Sequence, residues 1–192
     1  MKHLREQVDR FVPSNEQEER DKAILLRWLD SGENILTREN EVAHLTASAW
    51  VVNPDRTSVL MAYHNLYDSW AWLGGHADGE SDLLAVALRE AAEESGIAEV
   101  CVVTHEILSI EILCVEGHEK RGKYIPSHLH LNVTYLLEAD SSQSLSVKAD
   151  ENSAVAWIAV EDIPKKSTEP WFVERIYSKL CEKTKNYPPV LR

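Results

Sequence analysis

Cysteine is scarce in this chain: three in 192 residues, at positions 101, 114 and 181. So few, odd in number and far apart, suit neither a disulfide framework nor a zinc knuckle, and reduced thiols in a cytoplasmic setting are expected. Positive charge is also in short supply, with 20 Lys and Arg against 32 Asp and Glu, a net charge of −12. A general nucleic-acid binder needs a basic footprint, so that class is not expected. No apolar run approaches the ~18 residues of a membrane span, and none is expected. The start, Met1-Lys2-His3-Leu4-Arg5-Glu6, lacks the apolar stretch of a signal peptide. There is no internal repeat and no low-complexity run. What remains, at 44% hydrophobic and 27% charged residues, is a globular chain long enough for one cored domain with an extension.

The pattern divides the chain into a helical extension, 1–41, and a domain, 42–192, that includes a C-terminal helix. Pro13-Ser14-Asn15-Glu16-Gln17 predicts a capping box with Ser14 as N-cap and Gln17 three places on. Ile24, Leu25, Trp28 and Leu29 follow as an apolar stripe, with Gly32 as the stop. Such a stripe predicts packing on the domain; a homodimer contact or a lid is the alternative. Strands are expected at 46–52 and 58–63 around a turn at Asn53-Pro54-Asp55-Arg56-Thr57. Ala71-Trp72-Leu73 reads as a short strand entering a glycine loop, and 100–104 and 107–115 as β-rich. Within 127–137, Leu129, Leu131, Val133, Tyr135 and Leu137 alternate with His128, His130, Asn132 and Thr134, a strand with one polar face. A strand at 154–160 and an amphipathic helix at 169–184 complete an α/β sandwich around a mixed sheet.

The most informative stretch follows the glycines. A helix from Ser81 or Asp82 to Ser95 turns Leu84, Ala87, Leu88 and Ala91 to the core. Glu90, Glu93 and Glu94, at i, i+3 and i+4, then share one face. Each like-charged pair costs ~0.2–0.5 kcal/mol in a helix. All three also precede Gly96 at the helix C-terminus, where the macrodipole favours cations. Positive charge from outside is therefore expected, and hard oxygen ligands call for Mg2+ or Mn2+. A bound cation also reverses the local sign, so the acidity of the chain does not oppose a phosphate substrate. The alternative is a solvated acidic helix face.

With Gly75, Arg89, Glu90, Ala91, Glu93, Glu94, Gly96 and Ile97 at these spacings, residues 75–97 resemble the Nudix hydrolase signature, G-x5-E-x7-R-E-U-x-E-E-x-G-U with U aliphatic. One position departs: Ser81 stands where the signature has glutamate, and Glu80 lies one place early. Glu80 is expected to substitute, and Ser81 to cap the helix. The resemblance implies a Nudix-type α/β/α sandwich that cleaves a phosphoanhydride bond of a nucleotide or nucleoside-diphosphate derivative with Mg2+ or Mn2+. It implies Glu90, Glu94, Glu93 and the carbonyl of Gly74 as metal ligands, and Arg89 as the group that orients the glutamates. Glu151 resembles the loop glutamate that serves some members as general base; an ordinary turn is the alternative, and Glu111 a weaker rival.

Around this site His76 is a candidate phosphate contact. His128 and His130 either line the cleft or form the wet side of their strand. The histidine spacing is not a transition-metal signature. Trp70, with Trp72 and Tyr67, either stacks on a base or packs in the core. Ile112, Leu113 and Cys114 carry neither the proline associated with ADP-ribose nor the tyrosine associated with dinucleoside polyphosphates, so the substrate is not readable. A catalytically weakened Nudix-fold nucleotide-binding or regulatory module is the alternative function, and Ser81 is its only support.

Overall fold

Ten consecutive buried residues, Ala43–Val52, form the central strand β1 of a computed structural model that describes residues 1–120, 122–148 and 152–190. Ala43, Leu45, Ala47, Ala49 and Val51 give this strand one apolar face, while His44, Thr46 and Ser48 are buried on the other, where they need polar partners. In chain order the elements are α1 (Lys2–Arg10), α2 (Glu16–Asp30), β1, β2 (Ser58–His64), β3 (Ser69–Ala71), β4 (Leu73–His76) and α3 (Leu83–Ser95). They continue with β5 (Cys101–Val102), β6 (Ser109–Val115), the hairpin β7 (His118–Lys120) and β8 (Lys123–Ile125), β9 (His128–Glu138) and β10 (Asn152–Ala159). A short α4 (Ile163–Lys166) leads to a C-terminal helix made of α5 (Pro170–Phe172), a π-helical turn (Val173–Tyr177) and α6 (Ser178–Thr184).

The sheet is mixed. β1 pairs in parallel with β9 along its whole length, and antiparallel with β4 at Thr46–Ala49 and with β2 only at Val52↔Val59. Its second edge thus passes from one partner to another, which splits the sheet, and α3 packs across both β1 and β4. One face packs Ala47, Ala49, Val51, Leu131, Val133 and Tyr135 against Val86, Ala87 and Ala91 of α3 and against Leu4, Val8 and Leu25 of the first two helices. The other face packs Trp50, Val52, Met61 and Leu136 against Ile176, Tyr177 and Leu180 of the C-terminal helix. An α/β/α sandwich results. No helix among the described residues is long and apolar enough to cross a membrane.

The N-terminal helices belong to this packing. Leu25 is fully buried, and Trp28 and Leu29 lie against the same core. Moreover, α2 closes the outer edge of β6: Ile112 N–H donates to Asp21 (3.1 Å), and the Ile110 carbonyl accepts from Gln17 Nε2 (3.3 Å). An uncovered strand edge is a template for unwanted pairing, and two side chains remove it here. Gln17 is therefore occupied elsewhere, and the expected capping box sits one residue later. Asn15, not Ser14, is the N-cap and accepts from Glu18 N–H (2.9 Å), while Glu18 accepts from Ser14 N–H (2.8 Å). The predicted strand at 71–73 is broken at Trp72, and Gly74 and Gly75 lie in β4, paired with Ser48 and Ala47, instead of in a loop.

Glu18 also ties three elements together. It is fully buried, accepts from Ser109 Oγ of β6 (2.8 Å) and pairs with Lys183 and Lys179 of α6 (3.3 Å to Lys179). Burial alone would raise its pKa; the bonds from Lys183, Lys179 and the Ser14 N–H outweigh burial and hold it below the ordinary carboxylate value. A depressed folded pKa gives stability that is complete above the unfolded value and is lost as pH falls through the folded one. Glu18→Gln should cost about 3 kcal/mol at neutral pH, because Lys183 loses its buried counter-charge. Denaturant unfolding of both proteins from about pH 7 to about pH 3 should show that difference shrinking with acid, and a difference flat in pH would contradict this account.

Candidate metal centre and cavity

Two glycines let a helix lie against a strand. A Cβ on Gly75 would stand 2.5 Å from the carboxyl carbon of Glu90, and one on Gly74 would stand 2.6 Å from the Ala47 carbonyl oxygen. With neither present, the C-terminal half of α3 lays its carboxylates directly on β4. The helix is held in place at both ends. Asp82, in extended conformation, is the N-cap and accepts from Ala85 N–H (3.2 Å), and Gly96 closes the other end with φ +65°. Ser81 is thus not the cap. An aspartate one place later does that work and adds a negative charge where the macrodipole favours it. Glu80 borders the cavity described below, and its carboxylate accepts from Asp82 N–H (2.8 Å).

The three carboxylates differ in environment. Glu94 is only 5% exposed, and its two oxygens accept from Gly74 N–H (2.9 Å) and from Asn152 Nδ2 (2.9 Å). Glu90 is half-buried and bonded to Arg89 Nη2 (2.9 Å). Glu93 is exposed, 3.8 Å from Arg89 Nε and 3.5 Å from Lys148 Nζ. Arg89 therefore bridges two of the glutamates, more closely to Glu90 than to the i+4 partner expected from spacing. Three carboxylates on one helix face meet one guanidinium and one ammonium. This donor set, all hard oxygen, fits a divalent cation such as Mg2+ or Mn2+.

Beside the carboxylates opens a cavity of about 600 Å³. Glu90, Glu93, Glu94 and Arg89 border it at one end; Tyr67, Trp72, Phe172 and Tyr177 supply an aromatic wall. Tyr67 stacks against His64 (4.6 Å between centroids), and Trp72 stands edge-on to Phe172 (6.5 Å) and Tyr177 (5.8 Å). Trp70 is not among the residues bordering it: its ring packs edge-on against Tyr63 (5.7 Å). Of the aromatics before the glycines, Tyr67 and Trp72 face the cavity.

His76, His128 and His130 all border the cavity. The face of β9 that carries His128 and His130 is not wet. His128 is 8% exposed, and Asn132 and Thr134 are buried in a network with Thr46, Ser48 and Glu111. Glu111 itself is fully buried and paired with Lys179 (2.9 Å), away from the cavity, which removes it as a general base. Glu151 lies outside the described residues. His44, not singled out in the sequence, completes the group, with ring centroids 4.8 to 5.2 Å from His128, His76 and His130. Burial and then the neighbouring His76, His44, His128 and His118 hold His130 down at about 2, and burial likewise lowers His44. Both rings are neutral at neutral pH. Arg38, Lys148 and Asn152 are further site residues that spacing could not reveal, since each arrives from a separate loop or strand end.

The NUDIX domain family model matches residues 42–180. Solved structures with the same fold include a NUDIX-family hydrolase from Clostridium perfringens (20% identical, TM-score 0.50, covering 71% of this chain and 95% of the other). They also include a C. elegans Ap4A hydrolase (18%, TM-score 0.52, 74% and 95%) and the M. smegmatis Nudix hydrolase RenU (18%, TM-score 0.56, 78% and 90%). At these identities the likeness is one of fold. A search of curated proteins finds no match.

The two glycines should respond differently to alanine. In Gly75→Ala the new methyl meets the end of a flexible side chain, so the fold should survive and Glu90 be displaced, weakening Mn2+ binding by roughly tenfold, about 1.4 kcal/mol. In Gly74→Ala the methyl meets backbone, so thermal stability should fall first. Mn2+ titration and melting curves of both variants check this; equal effects of the two on stability would contradict it.

Proposed function

We propose, since this chain belongs to the NUDIX domain family, that it is a Mg2+-dependent pyrophosphohydrolase acting on a nucleotide or nucleoside-diphosphate derivative. The family acts on phosphorus-containing acid anhydrides and generally uses a divalent metal. The observation that carries the finer reading is the seating of Glu90 and Glu94 against Gly75 and Gly74, with an open cavity beside them. In this reading Glu90, Glu93 and Glu94 hold the cation, with the Gly74 carbonyl as a further ligand. When bound, the cation neutralises a diphosphate, polarises phosphorus and lowers the pKa of water.

The protein's own groups do the rest. Arg89 fixes Glu90 and Glu93, while Gly74 N–H and Asn152 fix Glu94, so the oxygens stand ready without reorganisation. Glu151 takes the proton of the attacking water; the water oxygen bonds to phosphorus as the P–O anhydride bond breaks, leaving two phosphorylated products. Its place in sequence supports this role, because Lys148 and Asn152 on either side of it reach Glu93 and Glu94. His76, His128 and His130 line the substrate cavity, and the wall of Tyr67 and Trp72 stacks on the base, since every nucleobase has a π face. The C. elegans neighbour is named an Ap4A hydrolase; a likeness of fold does not extend that substrate to this chain. The protein acts as a cytoplasmic enzyme on a small molecule.

Glu94→Gln is the decisive variant. The new amide keeps an acceptor for Gly74 N–H. Asn152, whose Oδ1 has no hydrogen-bond partner among the described residues, can turn its amide to accept from it. The fold should therefore stand while turnover falls by ~10²-fold or more. A nucleotide-library screen with phosphate detection, with Mg2+ and with chelator, supplies the assay; turnover that persists in excess chelator would sink the reading. Nucleotide binding without hydrolysis would leave the regulatory module in its place.

With a substrate in hand, hydrolysis in 18O-water should place label in one phosphoryl product and leave every carbon–oxygen bond intact. Label in a sugar or alcohol, read by mass spectrometry, would mean a different hydrolase chemistry.

A further inference from the structure

We propose that His44, His76 and His130 form a second metal site beside the carboxylates, selective for a borderline transition cation such as Zn2+. Three neighbouring strands build it. In the parallel pair β1–β9, His44 stands opposite His130; in the antiparallel pair β1–β4, His76 stands opposite Thr46, two residues on from His44. Side chains alternate with period two along a strand, so the three rings rise from one face of the sheet. One potential ligand atom from each lies within 4.8 Å of the other two. Four-coordinate zinc, with Zn–N near 2.0–2.1 Å, sets its ligands ~3.3 Å apart. Side-chain rotations that move each nitrogen by about 1 Å close the site on an ion, with the strands left where they are.

The protonation pattern favours a cation over an anion. His44 Nδ1 lies 3.0 Å from the Asn40 carbonyl, which only accepts, so in the neutral ring Nδ1 carries the proton. Nε2 keeps its lone pair, is buried, and has no hydrogen-bond partner among the described residues. A buried nitrogen lone pair whose ring is oriented by a backbone carbonyl on its other side is the arrangement of a metal-ligating histidine. His128 is oriented likewise, with Nδ1 2.8 Å from the Pro126 carbonyl, so that its Nε2 accepts from His130 Nε2–H (3.2 Å) and His130 keeps its lone pair on Nδ1. An anion site would need N–H groups aimed inward; here the oriented protons of His44 and His128 point outward to carbonyls.

Donor chemistry separates the two sites. Imidazole suits zinc, copper and nickel, whereas carboxylate suits magnesium and manganese. β4 connects them, since Gly75 lies under Glu90 and the next residue is His76. His76 and His130 border the cavity, so an ion with three protein ligands keeps a position open to whatever occupies it. The inference does not rest on the proposed hydrolysis, because no carboxylate is among its ligands.

The test uses full-length, metal-free protein saturated with Mg2+ and titrated with Co2+, followed by visible absorption; zinc retained after dialysis is measured by elemental analysis. One equivalent of Co2+ with the intense bands of four-coordinate nitrogen ligation is expected, and Glu90→Gln should leave them unchanged. His44→Ala, His76→Ala and His130→Gln should each weaken Co2+ binding by more than the ~10–100-fold that loss of a supporting partner costs. Near-UV circular dichroism reports whether each variant folds. His76, only half-buried and at the border of the cavity, keeps the test alive if buried His44 does not tolerate change. No Co2+ binding in excess Mg2+, binding unchanged in the folded histidine variants, or loss of the bands in Glu90→Gln would each overturn the proposal. A protein that binds Co2+ this way and hydrolyses nothing would retain this site and lose the hydrolase reading.

Discussion

The buried carboxylate of Glu94 is the charge around which the site is organised. An ionised group at 5% exposure is costly unless its oxygens are satisfied, and each of these has a donor from a different strand: Gly74 of β4 and Asn152 of β10. Both donors depend on irregular backbone. Gly74 can approach because it has no Cβ to strike β1, and Asn152 is turned inward where the β2–β10 register shifts between Asn152 and Ala154. A bulge that re-aims one side chain at the rim of a sheet is a common device at functional sites. The helix, the edge strand and the bulged strand thus meet on one anion, and the other two glutamates are placed because this one is fixed.

That constraint explains why both faces of the sheet must be covered. Glu94 and the His44–His130 pair are reached from a sheet whose interior is dry, and dryness is supplied by α3 and the first two helices on one face and the C-terminal helix on the other. The N-terminal helices lie outside the matched family segment, yet Leu4, Val8 and Leu25 share its core, and α2 seals the free edge of β6. Glu18 then links this helix to α6 through Lys179 and Lys183, across the end of the sheet. Removing the extension would expose a strand edge and take Glu18 from Lys183 and Lys179, leaving Lys179 with Glu111, so the extension is structurally part of the domain.

Local chemistry was legible in the sequence where one element carries the information. Period two marked β9, and the turn at Asn53 is closed as expected, with Asn53 Oδ1 accepting from Thr57 and Ser58 N–H. The i, i+3, i+4 glutamates were readable for the same reason. What failed was whatever depends on competition between neighbouring residues or on strand pairing. Ser81 and Asp82 are both good caps, as are Ser14 and Asn15, and in each pair the second residue is the N-cap. Whether the polar face of β9 was wet or lined a cleft stayed open, because a single strand does not disclose what covers it; His128 and His130 border the cavity, and Asn132 and Thr134 are buried. His44 was invisible for a similar reason: it acquires meaning only when the β1–β9 register sets it opposite His130.

The histidines also bear on how a chain of net charge −12 accommodates phosphate. Four rings lie with centroid separations of 4.8 to 5.2 Å among His44, His76, His128 and His130. Burial keeps the His130 and His44 rings uncharged at neutral pH, so neither supplies positive charge here. Among the described residues, Arg89, Arg38 and Lys148 stand at the border of the cavity as sources of positive potential, to which any bound cation adds. Arg89 and Lys148 are already paired with glutamates and Arg38 with Asp78 (2.7 Å), so their charge is largely spent within the protein. On the proposed reading, bound cations then supply much of the attraction for an anionic substrate, and metal occupancy matters more to binding than the protonation of His44 or His130.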